Sequence, residues 1–277
     1  MTIPVSVVVP THDSAATIGR ALRSVASQSA RPCEIVVVDD ASSDDTLAVV
    51  ADLARELPVP VRTIALPENL GPGTARNTGW DAATGDWVAF LDHDDAWHPE
   101  KLSVQHALMA AEPTLAMSGH LHAFCSHDDW ARVSARPVVV RFDLRDFLVR
   151  NRCSTPSVMV RRGIAQRFER GSSFAEDYLL WMRIVASHGP CARIEAPLVH
   201  CTNPAFGGAG LSGRMVAMER AELHNFRSLR RDGAIGPLTT AAASCWSLAK
   251  FAIRLVRTGV RRIRLRPAIA SDRSGAA

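Results

Sequence analysis

Apolar residues arrive in this chain as short unbroken runs, and each run ends abruptly on polar residues. IPVSVVV at 3–9 stops at Pro10, Thr11, His12 and Asp13. EIVVV at 34–38 stops at Asp39 and Asp40, and WVAFL at 87–91 stops at Asp92, His93, Asp94 and Asp95. Runs of this length, rich in β-branched side chains, predict strands buried on both faces. Between them the period lengthens: Ile18, Leu22, Val25 and Ala26 predict a helix capped by Asp13 or Ser14 and running to about Gln28, and Leu47, Val50 and Leu53 predict another. VRTIAL at 61–66 reads as a third strand. NLGPGTARNTGWDAATG at 69–85 reads as a glycine-rich turn opening into a short helix. Pro99 and Glu100 mark the helix after the strand at 87–91. Strand and helix alternate four times within about 110 residues, which predicts an α/β fold with a mostly parallel sheet between helices.

The pattern from 112 to 175 is less regular. LAMSGHLHAF, PVVVRF and STPSVMVRRG read as strands and DLRDFLVRN as a short helix, a mixed continuation of the first sheet. A helix then starts at Glu176, with Tyr178, Leu179, Trp181, Met182 and Val185 on its buried side. ARIEAPLVH at 192–200 is a strand, NPAFGGAGLSGR at 203–214 a glycine-rich loop, and helices follow at about 214–230 and 238–264.

Composition narrows the class. With 47% apolar and 22% charged residues the chain is an ordinary globular protein. Its six cysteines show no CxxC or finger-like spacing, so neither a zinc site nor a disulfide framework is indicated, and reduced thiols in the cytoplasm fit best. The chain enters a strand at once, without the charged and apolar regions of a signal peptide, and no apolar run reaches membrane-spanning length without a charge. The net charge of +4 is uneven: residues 237–277 carry eight Lys or Arg against one Asp, or +7, leaving −3 for the rest. That pattern does not call for a nucleic-acid partner.

The chemistry gathers where strands end, the edge at which open α/β sheets bind ligands. Asp92, Asp94 and Asp95 place three carboxylates within four residues, whose mutual repulsion a bound divalent cation relieves; the plainer alternative is a solvated turn that caps the next helix. GxGxxG and GxxxxGK[ST] are both absent, so dinucleotide and P-loop sites lack their fingerprints. Carboxylates such as Asp39 and Asp40 can instead bind ribose hydroxyls, a base N–H, or a cation that clamps a diphosphate. Arg76, on the helix after the glycine-rich turn, is either a direct phosphate or ribose contact or a surface arginine.

VSVVVPTHD, EIVVVDDASSDDT, GPGTARNTG, FLDHDD and EDYLLW, in this order and spacing, resemble family 2 glycosyltransferases of the GT-A fold over roughly residues 3–230. The resemblance implies inverting transfer of a sugar from a nucleoside diphosphate donor (UDP-, GDP- or dTDP-linked) to an acceptor hydroxyl, with Mg²⁺ or Mn²⁺. Carried over by position, it implies that Pro10 and Thr11 line base and ribose and that Asp40 pairs with the base. It also implies that Gly73 and Arg76 belong to the donor site and that Asp92 with Asp94 form the DxD element, Asp94 being the direct metal ligand. Asp177, beside Glu176, matches the general base, and His200 resembles the late metal or diphosphate ligand. Asp13 departs from the Asn common in the family. The loop at 203–214 resembles a lid over the donor; a plain linker is the alternative. His120, His122 and His127 are candidate lining of the acceptor site. On this reading residues 1–111 bind donor, 112–236 bind acceptor and carry base and lid, and 237–277 form a basic amphipathic tail.

In that tail Lys250, Arg254, Arg257, Arg261 and Arg264 recur at spacings of four and three among Trp246, Phe251, Ile253 and Leu255. Such a helix either lies on an anionic membrane surface, which suits a lipid-linked acceptor in bacterial polysaccharide synthesis, or packs back on the protein. A nucleotidyltransferase is the rival enzyme class, but PTHDSAAT is neither glycine-rich nor basic as a triphosphate loop should be. A non-catalytic nucleotide-sugar-binding protein would not need Glu176 and Asp177.

Overall fold

The computed structural model describes residues 1–124, 130, 133–134, 137–171, 174–202 and 215–270, with side chains as far as 256. It forms two compact units, Met1–Gly213 and Arg214–Ala277.

The first unit is built on a sheet whose central strand, β1 (Thr2–Thr11), is buried along almost its whole length. β1 pairs in parallel with β2 (Arg31–Asp39) and with β4 (Trp87–Phe90), and β3 (Val61–Ala65) runs parallel to β2 at the edge. α1 (Ile18–Ala26), α2 (Thr46–Glu56) and α3 (Pro72–Ala82) make the crossovers. Alternate residues of each strand face opposite layers. Val5, Val7 and Val9 share one core with Ile18 and Leu22 of α1, Val50 and Leu53 of α2, and Leu102 and Met109 of α4 (Lys101–Ala111). On the other face α3 lies so close that a Cβ on Gly79 would sit 2.4 Å from Cγ1 of Val8, which explains a glycine inside that helix. There Phe90 packs among Trp80, Phe168 and Trp181.

Beyond β4 the sheet turns mixed, as the irregular pattern predicted. β8 (Met159–Arg161) pairs antiparallel with β4 and with β6 (Met117–Phe124), and β9 (Cys191–Cys201) runs parallel to β6. β7 (Val139–Phe142) and β5 (Ala96–Trp97) both pair antiparallel with β9. The order is β3-β2-β1-β4-β8-β6-β9-β5, with β7 on β9 off that path. α5 (Leu144–Val149) opens with a capping box in which Asp143 and Asp146 each take the other's backbone N–H. α6 (Glu176–His188) is buried on nearly every side, not along one stripe.

Three local expectations fail. The helix expected from Asp13 or Ser14 begins four or five residues later, because the Asp13 carboxylate accepts from Ser43 N (2.7 Å) instead of capping it. STPSVMVRRG is mostly not strand: Thr155–Ser157 form a 3₁₀ turn and only Met159–Arg161 are extended. β5 was not anticipated, since two residues carry no period.

The second unit pairs α7 (Met215–Arg231) with α8 (Pro237–Ala270) across a short turn containing Gly233 at φ 75°. Lys250 Nζ meets Glu222 at 2.9 Å and Arg254 meets Glu219 at 3.0 Å, while Ser247 donates to Glu219 at 2.8 Å. The first two members of the expected basic row therefore face α7, and what α8 exposes includes Leu238, Trp246, Ile253 and Val256. The side chains of Arg257, Arg261 and Arg264 lie outside the described residues, as do His127 and the loop at 203–214. No helix among the described residues is long and apolar enough to cross a membrane.

Candidate active site

β4 delivers Leu91 and then Asp92 to the carboxyl edge of the sheet, where Leu91 N still bonds Val8 O at 3.1 Å. The chain then turns, Asp95 N bonding Asp92 O at 3.1 Å. The far end of β9 closes on this turn: Thr202 N donates to Asp95 Oδ1 at 3.2 Å and the Thr202 hydroxyl donates to the Asp94 carbonyl. Asp95 is the buried member of the trio. Burial first, and then the charges of Asp92 and Asp94, push its carboxyl up to about 8. His200, opposite Ala96 in the β5–β9 register, is buried and stacks on Trp130 with centroids 3.5 Å apart.

The ends of β1 and β2 form the neighbouring wall. Pro10 and Thr11 are buried, and Asp40 N bonds Thr11 O at 2.8 Å. The Thr11 hydroxyl is buried with no hydrogen-bond partner among the described residues. Asp40 accepts from Leu70 N and Gly71 N, both at 2.8 Å, and so fastens the glycine-rich turn to β2. Asp13, half exposed, ties the β1 loop to the β2 loop through Ser43, and the amide of Ser43 holds its carboxyl below the usual range against the opposing effect of burial. Asp13, Ala41 and Ala175 are the non-glycine residues with positive φ among the described residues, at 47°, 59° and 52°. Each stands at a loop bordering these carboxylates, the kind of place where backbone strain collects.

Arg76 joins the two halves of the site. Expected to meet phosphate or ribose, its buried guanidinium bonds Asp92 Oδ1 at 2.7 Å and Glu176 Oε1 at 3.1 Å, spanning 100 residues of sequence to the second. Burial works against its charge, but Asp92 and Glu176 together outweigh burial and raise its pKa. Gly73, one turn earlier on α3, lies against the Glu176 side chain, where a Cβ would come within 3.5 Å of Glu176 Cγ. Asp177 follows at the first turn of α6. Its Oδ2 accepts from Thr155 Oγ1 at 3.0 Å and its Oδ1 from Tyr178 N at 2.6 Å. Burial and the neighbouring Glu176 push its carboxyl up to about 6, with Arg76 and Thr155 pulling the other way. Thr155 was missed in the sequence because its segment reads as a strand. Of the histidines that are candidates for acceptor binding, His120 is wholly buried and bonds its own strand at Leu121 O (2.8 Å), and His122 is exposed.

The arrangement offers acids at one end and a carboxylate of near-neutral pKa at the other, which suits proton abstraction. Asp92 and Asp94 supply carboxylate oxygen, the hard donor that Mg²⁺ and Mn²⁺ take, and such ions need only one or two carboxylates where a diphosphate completes the shell. Among the described residues no group of three His, Cys, Asp or Glu side chains forms a protein-only metal site.

The family model described as "Glycosyl transferase family 2" matches residues 6–168, more than half of the chain, and the protein belongs to that family. It is 34% identical over 203 residues to the succinoglycan biosynthesis protein ExoO of Rhizobium meliloti (strain 1021), covering 68% of this chain and 57% of ExoO. It is 28% identical over 184 residues to the UDP-Glc:alpha-D-GlcNAc-diphosphoundecaprenol beta-1,3-glucosyltransferase WfgD of Escherichia coli, covering 65% of this chain and 69% of WfgD. The chain thus spans little more than half of ExoO, and 36% of the amylovoran biosynthesis glycosyltransferase AmsB of Erwinia amylovora, to which it is 36% identical over 108 residues and 39% of its own length. The crystal structure of S. aureus TarS 1-349 in complex with UDP-GlcNAc matches with a TM-score of 0.67 at 21% identity, over 88% of this chain and 71% of that one. Mannosyltransferase PcManGT from Pyrobaculum calidifontis, in complex with GDP-Man and Mn²⁺, matches with a TM-score of 0.65 at 20% identity, over 98% and 80%. At these identities the two structures speak for the fold, which is GT-A.

Proposed function

We propose that this protein transfers a sugar from a nucleoside diphosphate donor to an acceptor hydroxyl with inversion, in the synthesis of a bacterial surface polysaccharide or glycoconjugate. The observation that carries the reading is the meeting of Asp92, at the end of β4, with Glu176 and Asp177, at the start of α6, across Arg76. Pro10, Thr11, Asp13, Asp40 and Gly73 line the base and ribose side of the donor, and the Thr11 hydroxyl, which has no partner among the described residues, is available to it. Asp94 and Asp92, with His200 as a later ligand, hold Mg²⁺ or Mn²⁺, which when bound stabilises the charge growing on the leaving diphosphate. Asp177 takes the proton of the attacking hydroxyl on the opposite face of the sugar. Its carboxylate stands at the positive end of a helix dipole and near-neutral in pKa, able to accept that proton at pH 7. Support for the donor class comes from the family and from TarS and PcManGT, whose structures hold UDP-GlcNAc and GDP-Man with Mn²⁺. In this reading residues 1–111 serve the donor and 112–236 the acceptor.

Turnover of a panel of UDP-, GDP- and dTDP-sugars, together with thermal stabilisation by the diphosphates with and without Mn²⁺, tests the reading. Metal-dependent stabilisation and release of diphosphate are expected; a nucleotidyltransferase would instead need a triphosphate, and a binding protein would be stabilised without turnover. The name of WfgD specifies a diphosphoundecaprenol acceptor, and by extension α8 is a site of salt-sensitive attachment to an anionic membrane surface at the cytoplasmic face. With Lys250 and Arg254 engaged by α7, this attachment falls to the exposed apolar residues and the arginines beyond 256. Co-sedimentation with anionic vesicles at low salt, lost on truncation at Gly236, is the expected result; binding that survives the truncation contradicts it.

A further inference from the structure

Arg76 raises a question that the proposed transfer reaction leaves open, because its guanidinium is already committed to protein. It is buried, its two terminal nitrogens reach Asp92 at 2.7 Å and Glu176 at 3.1 Å, and its carbon lies 5.4 Å from the centre of the Phe168 ring. Its Nε has no hydrogen-bond partner among the described residues. Glu176 is itself buried, so the pair is an ion pair largely removed from water, where losing either partner leaves an uncompensated charge. A fork-shaped cation with two carboxylates on two different elements sets the distance between those elements. Here the elements are the acidic end of β4 and the first turn of α6, the first residue of which precedes Asp177.

We propose that Arg76 is a positioning residue, not a phosphate ligand, and that with Glu176 it sets where the Asp177 carboxylate sits and how readily it takes a proton. The inference rests on the reading of Asp177 as the base. Charged or titratable groups facing Asp177 are Glu176 on its own helix, Arg76 on α3, and the Cys153 thiol in the segment ahead of the 3₁₀ turn, where Thr155 adds a hydrogen bond. Glu176 opposes ionisation of Asp177 and Arg76 favours it. Removing one or the other charge therefore moves the acid limb of the rate profile in opposite directions: Glu176→Gln downward in pH, Arg76→Gln upward. Lysine keeps the charge and loses the fork, so Arg76→Lys lowers kcat with a smaller displacement of the limb. None of the three side chains is placed against diphosphate, so metal-free affinity for the nucleotide changes by no more than about threefold, a difference of about 0.65 kcal/mol; with Mn²⁺ present, the Arg76 variants also disturb the bond to Asp92.

The experiment is the pH dependence of kcat for wild type, Glu176→Gln, Arg76→Gln and Arg76→Lys, with calorimetric titration of UDP or GDP in the absence of Mn²⁺ on the same proteins. Wild type that transfers sugar establishes the reaction independently of the variants. Limbs displaced in opposite directions, with nucleotide affinity retained, bear the inference out. Should Arg76→Gln not fold, Arg76→Lys carries the test: kcat down with affinity held supports positioning. Nucleotide affinity reduced tenfold or more in a folded Arg76 variant, or limbs that do not move or move together, overturns it.

Discussion

The two halves of the sheet differ in how their strands find partners. β1 to β4 pair in parallel, each reached from the last through a helix, and their polar ends fall on one edge because parallel strands all point the same way. β5 to β9 pair in both directions, and β9 alone is joined to strands that precede it by about 50, 70 and 95 residues. The first half supplies a prepared edge; the second supplies groups brought to it one by one. Asp177 is placed by a helix start, Thr202 by the end of a long strand and Thr155 by a 3₁₀ turn. On the proposed reading the donor side follows from the shared fold and the acceptor side from this chain's own second half, which is where acceptor specificity is then to be sought.

The largest effect that would break this comparison is at the prepared edge. Asp94→Ala should lower donor turnover by on the order of 10² to 10³, by analogy with removing one group that stabilises transition-state charge. Mn²⁺-dependent stabilisation by nucleoside diphosphate should be lost with it, and unaltered turnover would show that the acids of β4 only shape a loop. A second substitution separates fold from chemistry on the same half. Gly79→Ala forces a methyl against Val8 and should cost about 1–3 kcal/mol in denaturant unfolding, with nucleotide affinity unchanged in the folded fraction. No loss of stability would mean that α3 can move off β1. The smallest effect sharpens the acceptor side: Thr155→Val removes a bond that favours the Asp177 anion, so the acid limb of the rate should move to higher pH. A limb that stays or falls contradicts the assigned bond.

The same contrast governs what could be read in the sequence. β1, β2 and β4 stand out because a strand buried on both faces is a local run of apolar residues, and their acids follow directly in the chain. Glu176 and Asp177 could be placed at a helix start for the same reason. β5 could not, being a two-residue strand defined only by its pairing with Val199 and His200. The engagement of Arg76 with Glu176 joins residues 100 apart and leaves no local signature, so the sequence left a surface side chain open where the structure has a buried bridge. Asp13 was misjudged as a cap because its αL backbone and its bond to Ser43 depend on the neighbouring loop. Local periodicity reports elements; it does not report which loops will hold one another.

That the acids of β4 hold the donor while Asp177 takes the acceptor's proton is tested most directly by Asp177→Asn. Transfer rate and nucleoside diphosphate affinity are to be measured on one preparation across pH 5–8. Asparagine keeps the shape and loses the basicity, so the account predicts a rate lower by on the order of 10² to 10⁴, with affinity essentially that of wild type. In the wild-type protein the rate should climb through about pH 6 as Asp177 loses its proton, and in the variant that climb should vanish. Near-normal turnover in Asp177→Asn, or an acid limb that persists in it, would contradict the account.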